Sequence, residues 1–108
     1  MMRTVDLVIA ARDSTAPAAA ADALRQGRRV LVVLPSADAR AARGLRRSLR
    51  KTARSGSQLT VMTNAEVVCV AGVDAVEAVV VRHLPTGRLQ AVNASAFVSC
   101  DSSLPDTK

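Results

Sequence analysis

VIAARDSTAPAAAADALRQGRRVLVVLP, Val8 to Pro35, has the layout of a strand, a turn, a helix and a second strand. It begins within a short apolar run, Val5 to Ala10, of the kind that makes a buried parallel strand. The run stops at the polar cluster Arg12 to Thr15. There Asp13, Ser14 or Thr15 can cap a helix, and Pro17 is tolerated in its first turn. Ala18 to Gln26 are strong helix formers and Gly27 ends them, so the spacing predicts a helix over about residues 16–26. Arg29 to Leu34 is a second Val/Leu run, closed by Pro35 and Ser36. The short strand–helix–strand spacing implies a right-handed parallel crossover.

Downstream, Ala37 to Arg54 reads as a second helix. Arg40, Arg43, Arg47, Arg50 and Arg54 recur at three- and four-residue steps and form one cationic stripe, while Ala41, Leu45, Leu49 and Thr52 or Ala53 supply the buried face. Ser55-Gly56-Ser57 ends this helix. The pattern then changes to consecutive strands: Leu59 to Met62, Ala65 to Ala71, Ala75 to His83, Leu89 to Asn93 and Ala96 to Cys100. Gly72 to Asp74 and Pro85-Thr86-Gly87 provide hairpin turns, so the middle three strands are expected to form an antiparallel meander. The last strand, AFVSC, is apolar enough to return to the parallel sheet.

Composition bounds what this layout can do. The chain has 108 residues, 49% of them apolar, with Phe97 the single aromatic. That suits one domain over residues 1–101, with a core of Val, Leu, Ile and Ala, followed by a polar tail over 102–108. Net charge is +6 from 15 Lys and Arg against 9 Asp and Glu. This favours anionic partners in general, but an Arg- and Ala-rich composition also arises from codon usage, so nucleic acid is not the expected partner. Cys69 and Cys100 form no C-x-x-C pair and lie in Val-rich runs, where buried core positions are expected. No apolar stretch approaches membrane-spanning length, and no signal-peptide pattern opens the chain; a cytoplasmic location is the expectation. No metal-ligand set is present. His83 beside a turn reads as a solvent-facing strand residue, and Asp6 and Asp13 have structural readings at a strand start and a helix cap.

Four strings, DLVIAA, ALRQGRRVLVV, TNAEVVCVAGVDAVEAVVVRHLPTGRLQ and AFVSCDSSLPDT, resemble the nucleotide-binding domains of two-dinucleotide-domain flavoproteins. The thioredoxin-reductase-like pyridine nucleotide-disulfide oxidoreductases are the most similar among these. The resemblance runs from about Val5 to Thr107. It implies an α/β, Rossmann-like three-layer domain with a parallel sheet, two helices and an antiparallel three-stranded β-meander. It also implies FAD, NAD or NADP as the cofactor class.

The chain departs from the family at the positions that carry its chemistry. A G-x-G-x-x-G/A turn lets backbone approach a pyrophosphate at a helix N-terminus. Here Ala10 falls at the first Gly, Arg12 at the second and Thr15 at the third. The candidate cofactor-binding residues are therefore a degenerate set: Ala10, Ala11, Arg12, Asp13, Ser14, Thr15 and, at the one retained arginine of a 2′-phosphate pattern, Arg40. Arg12 either fills the pyrophosphate site or pairs with a phosphate. Leu34 stands where relatives place an acidic ribose contact, and Asp101 where they place a glycine near the cofactor.

The expectation is a stand-alone, degenerate FAD/NAD(P)-binding-like domain that holds no cofactor tightly and performs no catalysis alone. It would act as a homo-oligomer or with a flavin-domain protein, away from membranes. The alternatives are a weak nucleotide-binding part of a flavin-dependent oxidoreductase and an Arg-rich nucleic-acid-binding module.

Overall fold

The computed structural model describes residues 3–11, 18–35 and 39–99. In chain order the elements are β1 (Arg3–Thr4), β2 (Leu7–Ala10), α1 (Ala18–Arg25), β3 (Arg29–Val33), α2 (Ala39–Arg50), β4 (Gln58–Met62), β5 (Ala65–Ala71), β6 (Ala78–His83), β7 (Leu89–Asn93) and β8 (Ala96–Ser99). They form two four-stranded sheets, β4-β3-β2-β8 and β1-β7-β6-β5.

The first sheet is parallel throughout. Its strands alternate in facing, so each face has its own core. Leu7, Ile9, Val30, Val32 and Leu34 pack with Ala20, Ala23 and Leu24 of α1 and Ala42, Leu45 and Leu49 of α2. On the opposite face Val8, Leu31 and Val33 pack against Val79, Val81 and Val92 of the second sheet. The result is three layers: helices, parallel sheet, meander. This is a Rossmann-type arrangement, with β6 antiparallel to both β5 and β7 as the turn chemistry implies.

The ends of α1 and the meander turn show why specific glycines are needed. Gly27 adopts φ 78°, and the amides of Gly27 and Arg28 donate to the carbonyls of Leu24 and Ala23 at 3.1 and 3.0 Å, a Schellman end to the helix. At Gly72, φ is 155° and a Cβ would lie 1.9 Å from the Ala75 carbonyl oxygen, so the β5–β6 turn admits no side chain there.

Three sequence expectations are corrected. The first strand is not one run from Val5. It is two strands in different sheets: Arg3–Thr4 pairs parallel with β7, and Leu7–Ala10 pairs with β3 and β8. The break falls at Asp6, whose carboxylate accepts the Arg29 backbone amide at 2.8 Å and the Arg29 guanidinium at 3.4 Å. Second, α2 ends at Arg50, not Arg54. Thr52 bonds back to the Leu49 carbonyl through its amide and hydroxyl, and the Arg54 amide turns to the Leu24 carbonyl at 3.0 Å. The buried face is consequently Ala42, Leu45 and Leu49, with Ala41 half-buried and Ala53 exposed. Third, β6 starts at Ala78, because the Glu77 amide closes the turn onto the Ala71 carbonyl at 2.9 Å.

Candidate functional site

In an open parallel sheet, the carboxyl ends of neighbouring strands that leave in opposite directions form a crevice. Here that place lies beside β2, whose two neighbours are β3 and β8. Ala10, Val33 and Ser99 end their strands in register. A cleft of ≈ 710 Å³ opens above them, walled on one side by β5 and floored in part by Phe97. Its size falls within the range of small-molecule sites.

Of the expected site residues, Ala10 and Ala11 line this cleft. Arg12, Asp13, Ser14 and Thr15 lie outside the described residues, as does Asp101. Arg40 stands exposed on the first turn of α2 and is not among the cleft's lining residues. The α2 helix covers the face of the sheet that carries Val30 and Val32, whereas Val33 and Phe97 face the meander. The structure therefore does not bring Arg40 together with Ala10 and Ala11.

The described part of the cleft is poor in groups that hold a dinucleotide. Its charged lining residue is Glu66, whose carboxylate is paired with the Arg82 guanidinium. The Ala11 amide, the first donor of the turn, is already bonded to the Val33 carbonyl at 2.9 Å. Leu34 has its side chain fully inside the helix-side core. Its backbone bridges the Met62 carbonyl and the Ala65 amide, so this position serves packing. The described lining residues therefore offer few groups that fit FAD, NAD or NADP.

The remaining polar candidates have structural roles. Asp6 joins the β1–β2 break to the start of β3. The Arg29 backbone amide, and then its guanidinium, hold the Asp6 carboxyl below the usual carboxylate range. His83 is exposed at the end of β6 with Nδ1 2.9 Å from the Thr86 hydroxyl, within the turn before β7. Among the described residues no group of three or more His, Cys, Asp or Glu could hold a metal ion.

The β5 wall is the part of the site that sequence reasoning missed. Cys69, expected in the core, is exposed and lines the cleft, while Cys100 lies outside the described residues. β5 is the edge of its sheet, and a register shift between Val67 and Cys69 turns its second half away from the core. A Val-rich run reads as a buried strand whether it lies at the centre or the edge. The signal that separates the two cases is pairing, which the run does not encode.

Solved structures with this arrangement include an FAD-dependent halogenase and a flavin-dependent monooxygenase. The chain is similar to the myxobacterial chondrochloren halogenase CndH, an FAD-dependent halogenase, at a TM-score of 0.67 and 14% identity, covering 90% of this chain and 37% of that one. It is similar to the flavin-dependent monooxygenase PieE, solved in complex with FAD and substrate, at a TM-score of 0.65 and 12% identity over 91% of this chain and 30% of that one. A thioredoxin reductase from Gloeobacter violaceus gives a TM-score of 0.61 and 21% identity over 91% of this chain and 29% of that one. The resemblance seen in the sequence is thus a resemblance of fold, to the Rossmann-type domains of flavin oxidoreductases, and the chain spans about a third of these neighbours' length. No family model and no curated protein matches the chain. No described helix is long and apolar enough to cross a membrane.

Proposed function

We propose that this chain is a degenerate FAD/NAD(P)-binding-like domain that performs no redox chemistry alone and acts through association with a second copy or with a flavin-bearing protein. The observation that carries the reading is the cleft at the strand ends. It has the expected place and size, but the ribose-contact position has become a core leucine and the nearest turn amide is already bonded. Association is supported by the β5 side of the meander, where Val68, Val70 and Val73 are exposed at 44%, 41% and 91%.

The reading predicts no saturable binding of FAD, NADH or NADPH tighter than about 1 mM. The alternative, a weak nucleotide-binding part of an oxidoreductase, uses Arg12 and Arg40 as phosphate ligands. Arg40 is not among the described residues that line the cleft, which supports the first reading. Arg12→Gly separates the two by calorimetry: binding appears or improves if Arg12 obstructs the site, and weakens if Arg12 is a ligand.

A further inference from the structure

α2 and the turn after it carry Arg40, Arg43, Arg46, Arg47, Arg50, Lys51 and Arg54, and no carboxylate occurs from Ala39 to Ala65. The helix buries Ala42, Leu45 and Leu49, which places Arg43, Arg47 and Arg50 on the opposite, exposed side. Among the described residues the ion pairs belong to Arg25, Arg29 and Arg82, so Arg43, Arg47, Arg50 and Arg54 have no carboxylate partner there. Fold stability accounts for only part of this array. Cations suit the last turn of a helix, where Arg47 and Arg50 stand, but oppose the macrodipole near its start. Arg40 and Arg43 sit at that start, with no acidic residue in the first turn. Like charges three and four residues apart also repel along the helix.

We propose that the exposed face of α2, centred on Arg43, Arg47 and Arg50, docks the phosphate backbone of duplex nucleic acid without reading sequence. Composition alone gave no reason to favour this partner, because an excess of arginine has a codon-usage explanation. The placement does favour it: Arg43, Arg47 and Arg50 are gathered on one helix face, with no carboxylate partner among the described residues. Guanidinium groups pair with phosphate oxygens in a planar, two-bond geometry, and the array rises about 10 Å from Arg43 to Arg50, a run of charge that fits a repeating polyanion. A lipid surface fits less well, since Leu45 and Leu49 are 0% and 1% exposed and the helix has no apolar wedge to insert. Single strands fit less well because the one aromatic residue, Phe97, lies at the cleft rather than on this face, leaving nothing for bases to stack on.

The test is fluorescence anisotropy with a labelled random-sequence DNA duplex of about 20 base pairs, titrated with the full chain at several salt concentrations. Saturable binding is expected at about 50 mM salt, weakening about 100-fold by about 200 mM, as four phosphate contacts require. Arg43→Gln with Arg47→Gln leaves the buried face untouched. It should weaken binding about tenfold and flatten the salt slope by about two. Arg82→Gln with Arg88→Gln removes the same charge from the meander and should change affinity less than about twofold. The proposal is overturned if the duplex does not bind at low salt, or if the two double variants weaken binding equally. It is also overturned if polyglutamate or vesicles of anionic phospholipid bind as tightly as the duplex. A negative result here leaves the cleft reading untouched, because the two sites share no residue.

Discussion

Asp6 shows how one side chain can set a chain path. It sits where an apolar run leaves one sheet and enters the other, and its carboxylate holds Arg29, the first residue of β3, by backbone and side chain together. Because its folded-state pKa is depressed, the interaction stabilises the fold at pH values above the ordinary Asp range near about 4. That contribution is lost as pH falls through the lowered value. Asp6→Asn should therefore lower the melting temperature at neutral pH and narrow the gap to the wild type in acid, read by thermal melts across pH. Gly72→Ala makes a sharper prediction. The added Cβ meets the Ala75 carbonyl with no room to relax, so the variant should lose about 1–3 kcal/mol in denaturant titration. Cys69, exposed at the cleft, should react with a thiol reagent in the native protein without denaturant, as followed by mass spectrometry in a Cys100→Ser background.

At the scale of elements, legibility followed local signals. The spans of β5 and β7 were readable to the residue because turn residues bracket them, and Gly27 marked the end of α1 correctly. The split of the first strand was not readable. Val5 to Ala10 is continuous in apolar character apart from Asp6, and which sheet each half joins depends on β7 and β8, 89 residues away. The early end of α2 was hidden for a related reason: Arg and Ala favour helix through residue 54, and the chain leaves because Arg54 finds the Leu24 carbonyl. Leu45→Ala empties a fully buried position between α2 and the sheet and should cost about 2–5 kcal/mol. Val68→Lys changes the exposed β5 edge and should alter stability by less than about 0.5 kcal/mol. If β5 mediates self-association, Val68→Lys should also shift sedimentation toward the monomer.

At the scale of the whole molecule, the order of elements in the sequence was enough to name the architecture. Strand–helix–strand followed by consecutive strands and a final apolar strand leaves few alternatives, and the three layers follow from the two-faced packing of β2 and β3. The site was legible only in part. Ala10 and Ala11 mark its floor, but its wall comes from a strand that reads as core, and Arg40 falls on the helix layer. Spatial convergence of residues from different elements is set by sheet order and register, which no local spacing carries. In the proposed function the dinucleotide fold persists without a working dinucleotide site. Isothermal titration of the full chain with FAD, NADH and NADPH decides the matter: no saturable heat is expected up to about 1 mM ligand, and a dissociation constant below about 1 mM for any of the three would overturn the proposal.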